Sequence, residues 1–371
     1  MIGLVIFIFS ADFFGYYEHQ LTSLYMKEDF ILQDYNKLRF DISVDFSDKA
    51  SLNGGGIVQT FHGERIFNLL HFLPDSLVQI IPDSLKPMYF VQFENQYYIN
   101  DIVLLLYWKY LILKIGKQQL AWGTGYAWNP TEIISDKSLF DPTYERAGTP
   151  SFYITVPWGN AVGFETILIL KDNEGLEELP LTFRVKNNIF NFNFALSYTQ
   201  MVEESFILQI KEKKKMYGGE FVGEMFGIGL WSEAAYNDLD TSSDYSQFVI
   251  GSDYTFKFHT HIMAEYYHNG MGKTEYDLTD WQRLIFNDIQ NMGQDYVFVG
   301  FSHPIMEFHN ISIYSLVNLN DMSLIIMPQI QYNITQDIDL SLMSFYSFGD
   351  TNTEFANFGI KGGFIRLNAY F

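Results

Sequence analysis

Apolar and polar residues alternate along most of the chain with a period of two. In LRFDISVDF, Leu38, Phe40, Ile42, Val44 and Phe46 share one face, opposite Arg39, Asp41, Ser43 and Asp45. Farther on, Phe190, Phe192, Phe194, Leu196 and Tyr198 oppose Asn191, Asn193, Ala195 and Ser197, and Leu181, Phe183 and Val185 oppose Thr182, Arg184 and Lys186. In the last stretch, Ile365, Leu367, Ala369 and Phe371 oppose Phe364, Arg366, Asn368 and Tyr370. Successive side chains of a strand point to opposite sides, so each stretch reads as a strand with one apolar and one mixed face. Similar segments recur near 94–106, 110–121, 160–170, 227–236, 244–255, 259–268, 294–302, 307–318, 321–333 and 338–348.

Such alternation suits a soluble sandwich whose apolar faces meet each other. It suits equally a closed barrel with lipid outside and water inside. The connections discriminate. Short ones fall near 48–53, 107–110, 157–160, 186–189, 224–227, 256–259, 303–307 and 334–337. Others, mostly longer, fall near 25–33, 65–90, 122–150, 171–179, 201–215, 239–243, 270–293, 319–320 and 349–357. Eight connections at one end and nine at the other predict 18 antiparallel strands, with both termini at the short-turn end. Short turns on one rim and long loops on the other are the pattern of bacterial outer-membrane barrels. Tyr107, Trp108, Tyr110 and Trp158 fall in or beside short turns, as an interfacial aromatic girdle would. The expected fold is therefore all-β: a closed antiparallel transmembrane barrel with short periplasmic turns and long outer loops. The apolar face of the final strand, Phe371 included, is expected to meet lipid.

Composition narrows the function. Lys and Arg total 23 against 44 Asp and Glu, a formal charge of −21, which leaves no cation surplus for neutralising nucleic-acid phosphates. The absence of cysteine excludes disulfides, thiolate metal sites and thiol catalysis. Much of the acidity is expected in outer loops such as DNEGLEE (172–178) and DLDTSSD (238–244), with the basic KEKKK (211–215) in another loop. At the start, an apolar run from Ile2 to Phe9 followed by Ser10 and Ala11 resembles the core and cleavage region of an export signal. Residues 1–11 are accordingly expected to be a signal-peptide remnant and 12–371 a single barrel domain. No run approaches the ~18 apolar residues a membrane helix requires.

The least generic stretch is LKIGKQQLAWGTGYAWNPTEI, residues 113–133. It resembles a segment of porin-like outer-membrane barrels, the broad group that includes alginate-export-type channels. In that group Gly, a basic residue and Gln lead through Trp-Gly into an outer loop bearing Asn-Pro-Thr and an acid. The matching residues are Gly116, Lys117, Gln118, Trp122, Gly123, Asn129, Pro130, Thr131 and Glu132. Lys117 stands where Arg is commoner, so a bidentate clamp is not assumed. The resemblance implies a channel for passive diffusion of small polar solutes, without a cofactor. A terminal Phe such as Phe371 likewise resembles the signal read by barrel-assembly machinery, which it implies as a partner alongside outer-membrane lipid.

Physically, Gly123 and Gly125 permit turns that other residues resist. Pro130 holds Asn129 extended, and Thr131 is placed to cap a short helical turn. At nearly thirty residues, the segment 122–150 is long enough to fold inward. One reading makes it a pore constriction lined by Trp122, Tyr126, Trp128, Asp141, Glu145 and Arg146; the other makes it a packing motif pinned to the wall. Alternation places Arg39, Asp41, Glu165, Arg184, Glu233, Glu265 and Arg366 toward the lumen, either wetted or joined in closing ion pairs. A plugged structural, ligand-binding or polymer-binding barrel is the rival function, supported by the apolar LLHFLPDSLVQIIPDSL (69–85). Catalysis is not indicated. GMGKT (270–274) lacks the first glycine of a phosphate loop, that position being Tyr267, and no G-x-S-x-G or H-E-x-x-H occurs.

Overall fold

The computed structural model describes residues 10–371 except 28, 135–145, 160, 172–174, 307 and 358–360. The expectations for the leader before Ser10 and for Asp141 and Glu145 therefore fall outside the described residues. Strands β1 (Ser10–Met26), β2 (Asp29–Ser47) and β3 (Ala50–Gly63) begin the wall. β4 (Ile66–Asn68) and β5 (Phe90–Gln92) pair only with each other, as a small ribbon within the next loop. The wall resumes with β6 (Gln96–Trp108), β7 (Leu111–Gln118), β8 (Thr149–Trp158), β9 (Val162–Ile169) and β10 (Leu181–Ile189). It continues through β11 (Phe192–Ser205), β12 (Ile210–Met225), β13 (Ile228–Leu239), β14 (Tyr245–Thr255) and β15 (His261–Asn269). β16 (Asp295–Ile305), β17 (His309–Asn318), β18 (Leu324–Thr335), β19 (Ile338–Phe348) and β20 (Lys361–Tyr370) complete it.

Each wall strand pairs antiparallel with its neighbour, and β20 returns to β1 with Tyr370 opposite Tyr16 and Lys361 opposite Tyr25. The result is a closed barrel of 18 strands. Closure satisfies the backbone of every strand and leaves no edge, which a lipid environment demands. Side chains follow the alternation. On β11 Leu196 points outward, 71 % exposed, while its neighbours Ala195 and Ser197 are buried inside. Trp108, Tyr110, Trp158, Phe190, Phe226 and Phe308 stand exposed around the short-turn rim, the arrangement of an aromatic belt. Among the described residues no helix is long and apolar enough to cross a membrane.

Two connections differ from expectation. The segment 25–33 is a tight turn, with β1 running to Met26 and β2 starting at Asp29. The segment 201–215 is mostly strand: β11 extends to Ser205, β12 starts at Ile210, and KEKKK lies on β12 rather than in a loop. The charge run interrupts apolar alternation and so looks like a loop. Cross-strand pairing supplies the missing stabilisation, with Lys211 3.0 Å from Glu204 and Lys214 3.1 Å from Glu203.

The long connections carry the helices α1 (Asp75–Val78), α2 (Leu278–Ile285) and α3 (Glu354–Asn357). The β3–β6 and β15–β16 loops spring from nearly opposite sides of the barrel. Ten wall strands (β6 to β15) separate them one way round and eight (β16 to β20, β1 to β3) the other. They nevertheless meet. Leu70, Leu73, Ile81 and Tyr89 from one pack with Trp281 and Met292 from the other, and Gln282 Nε2 donates to Tyr89 Oη at 2.7 Å.

Candidate functional site: an inward loop anchored by wall carboxylates

The β7–β8 connection leaves the wall after Gln118 and turns into the barrel. Its tip is held by Glu265 of β15, a side chain only 1 % exposed. Glu265 Oε1 accepts the backbone N–H of Ala127 at 2.8 Å and of Trp128 at 3.0 Å. Its Oε2 accepts Tyr126 N–H and the Trp231 indole N–H, both at 2.6 Å. Three successive backbone N–H groups thus converge on one carboxylate, a nest made by the chain itself. Glu233 of β13 grips both flanks of the tip, accepting Thr124 N–H at 2.7 Å, Thr131 N–H at 2.5 Å and the Thr131 hydroxyl at 2.8 Å. Thr131 therefore serves as a tie to the wall and not as a helix cap; its hydroxyl also lies 3.2 Å from Glu220.

The turn between these anchors is tight. A Cβ on Gly125 would stand 1.9 Å from the Trp128 carbonyl oxygen, so only glycine fits. Trp128, 2 % exposed, stacks on Tyr267 with ring centroids 5.0 Å apart and donates its indole N–H to Asn291 Oδ1 at 2.9 Å. Tyr126 packs on Phe298 of β16 at 5.2 Å. Trp122 is buried against Ile167 and Ile169, and the Arg184 guanidinium lies 5.0 Å from its ring centroid. The constriction reading placed both indoles on open space. Here they are packing anchors, because burying a large ring fixes a loop more firmly than wetting it does. Arg146 pairs with Glu132 inside the loop.

The inward wall residues divide into two arcs. On β9 to β12, Arg184 pairs with Glu220 and lies 3.4 Å from Glu165, which also meets Lys186 at 2.7 Å. On the opposite arc, Arg39 donates to Asp41 and to Asp101, each at 2.8 Å. Gly55 makes room for that cluster, since a Cβ there would stand 2.5 Å from Asp41 Oδ1 and 2.8 Å from Asp101 Oδ1. Arg366 donates to Gln20 at 2.8 Å and lies 3.8 Å from Glu18. Glu233 and Glu265 are brought together under the loop; Arg39, Asp41 and Arg366 are not part of that assembly.

Sequence reasoning missed Glu220, Asp101 and Asn291. Asp101 follows a bulge at which Gly56 pairs with Ile99 but Gly55 pairs with Asp101, and one inserted residue inverts the alternation. Asn291 sits in a loop, where periodicity carries no signal. Above the loop, Glu354 of α3 accepts Met292 N–H at 2.9 Å, Asn318 Nδ2 at 2.6 Å and the Tyr296 hydroxyl at 2.5 Å. Burial pushes its carboxyl up to about 7 against those donors.

Solved structures share the architecture. OccAB4 of Acinetobacter baumannii is 9 % identical with a TM-score of 0.58, over 97 % of this chain and 97 % of that one. A triple mutant of Rhodopseudomonas blastica porin is 13 % identical with a TM-score of 0.49, over 98 % of this chain and 100 % of that one. No protein-family model and no curated protein matches the sequence. At 9 % identity the likeness to OccAB4 is one of fold alone.

Proposed function

We propose that the protein is an outer-membrane channel for passive diffusion of small polar solutes, narrowed by the loop 122–150. The observation that carries this reading is a closed barrel, apolar outside and charged inside, with the tip of the β7–β8 loop fixed to the inner wall by buried carboxylates. A barrel of 18 strands is too wide for wall side chains to fill. Wall and loop charges then filter a solute by width and sign. No catalytic step is assigned. In this reading Phe371, whose ring centroid lies 6.0 Å from that of Phe40 on the outer face, is also the contact for barrel-assembly machinery.

The test is single-channel conductance in planar bilayers, with and without residues 124–148. Ohmic steps in the full chain that enlarge on deletion are expected. Silence in both forms, from protein verified as folded and inserted, would sink the channel reading. The apolar junction of the β3–β6 and β15–β16 loops favours a second reading, a barrel closed at its outer mouth. Silence in the full chain, with steps only after that junction is broken, would decide for it.

A further inference from the structure

The inward loop and the mouth-crossing loops are built around different clusters, one on the wall around Trp128 and one around Trp281. One short stretch belongs to both. Asn291, 4 % exposed, accepts the Trp128 indole N–H at 2.9 Å. The next residue, Met292, is buried in the mouth junction and donates its N–H to Glu354. Two consecutive residues of the β15–β16 loop thus hold the tip of one assembly and the core of the other.

Tyr296 is a second joint. Its ring centroid lies 5.8 Å from that of Trp128, while its hydroxyl donates to Glu354 Oε2 and accepts Gly293 N–H. Helix α3 carries the connection to the other mouth-crossing loop. Three residues after Glu354, Asn357 Nδ2 donates to the Phe72 carbonyl at 2.6 Å, between the junction residues Leu70 and Leu73. Beside the Trp128–Asn291 bond, residues 127–133 and 287–291 line a common cavity of about 240 Å³. A local contact, and not a continuous dry core, therefore joins these two segments.

Removing one partner of a buried hydrogen bond strands the other. If the β15–β16 loop lifts, the Trp128 indole N–H is left unmet; if the tip lifts, Asn291 Oδ1 is. Each docked segment therefore favours the docked state of the other. We propose that the mouth junction and the inward loop dock and undock as one coupled unit, with the Trp128–Asn291 bond as the link. Coupling between two equilibria is reciprocal, so loosening either assembly loosens the other by the same factor. This goes beyond the channel reading, because it concerns which segments move together, whether or not a solute passes.

The test is amide exchange on the folded, detergent-solubilised full chain, with barrel integrity checked by heat-modifiable gel mobility. Leu73→Ala perturbs the junction from the β3–β6 loop and Trp281→Ala from the β15–β16 loop. Either should speed exchange of the Tyr126, Ala127 and Trp128 amides, which bind Glu265, by about tenfold. In an Asn291→Ala background the tip is already loosened, and Leu73→Ala should add less than about twofold. Trp128→Phe keeps a ring for Tyr267 and Tyr296 but has no N–H, and should uncouple in the same way. In the reverse direction, Glu265→Ala should speed exchange of the Leu73 and Met292 amides by a similar factor. Unchanged exchange at 126–128 in both junction variants would overturn the proposal. So would equal increments with and without Asn291, or an effect that runs in one direction only. Because amide exchange needs no current, a chain that proves silent in bilayers leaves this test intact.

Discussion

Replacing Glu265 by Ala withdraws one buried carboxylate from four donors at once: the N–H groups of Tyr126, Ala127 and Trp128 and the Trp231 indole. Hydrogen bonds to a charged group contribute roughly 1.5–3 kcal/mol each, so independent bonds would total roughly 6–12 kcal/mol. They are not independent, because they share two oxygens and three of the donors are consecutive residues. The stranded donors also regain water once the tip lifts. Breaking a buried charged contact by removing one partner typically costs about 3–5 kcal/mol, which is the working figure for the docked tip. At 1.4 kcal/mol per decade, the docked population falls by roughly two to four powers of ten. The barrel itself should persist, since its ladder is closed without this residue. Glu233 still holds the flanks, so the tip swings and the loop does not depart. The expected result is normal folding by heat-modifiable mobility, a noisier and larger single-channel conductance, and new protease sensitivity near 124–130. Glu265→Gln should behave similarly, because its amide turns a donor toward donors. Unchanged conductance, noise and protection in Glu265→Ala would refute the anchoring argument.

Gly125→Ala should reproduce the noise of the Glu265 variant without touching any wall strand, because its methyl group would stand 1.9 Å from the Trp128 carbonyl; a quiet channel of native size would contradict it. Trp281→Ala removes a side chain only 1 % exposed from the junction of the two mouth-crossing loops. It should cost that junction roughly 3–5 kcal/mol, read as faster proteolysis within 65–93 and 270–294 with the barrel intact. The carboxyl of Glu354 is pushed up to about 7 from an ordinary 4.5. With the β15–β16 loop docked against it through Met292, Glu354 therefore keeps a proton that it releases when that loop lifts. Docking should weaken by up to about 3 kcal/mol as pH rises from about 4.5 to about 7, and level off above. Amide exchange at 290–293 should trace that profile and flatten in Glu354→Gln.

The wall was legible because one period governs it. Phe183, Leu196 and Tyr217 must face outward if Arg184, Ser197 and Gly218 face inward, and the short connections follow from where alternation stops. Legibility failed where another force replaced apolar burial. Around KEKKK, opposite charges on facing strands carry the pairing above the apolar belt, and a charge run by itself does not reveal its cross-strand partners. At Asp101 a single bulged residue inverted the phase. The loop chemistry was half legible. Gly125, Trp128 and Thr131 were conspicuous, but the partners that give them meaning stand on β13 and β15, more than a hundred residues away. Nothing in the spacing of Glu233 or Glu265 separates a wetted lumen carboxylate from one that accepts backbone N–H groups.

That last point dissolves the choice between a constriction and a pinned packing motif. A loop lying across a water-filled barrel exposes its own polar backbone on both sides and has few apolar neighbours, so left to itself it fluctuates. A narrowing of defined width requires that the loop's freedom be removed by contacts stronger than those water offers. Backbone N–H groups directed at a buried carboxylate meet that requirement, because a charge-assisted bond in a low-dielectric pocket exceeds its counterpart in water. Burial of Trp122 and Trp128 adds area to the same end. The residues that pin the loop therefore need not touch a solute. In the proposed channel, selectivity would fall instead to whatever the fixed backbone presents on its free side, and to wall groups left beside it, such as Arg184 with Glu165 and Glu220. On this argument, substitutions at the indoles should change the noise and size of the current before they change its ion preference.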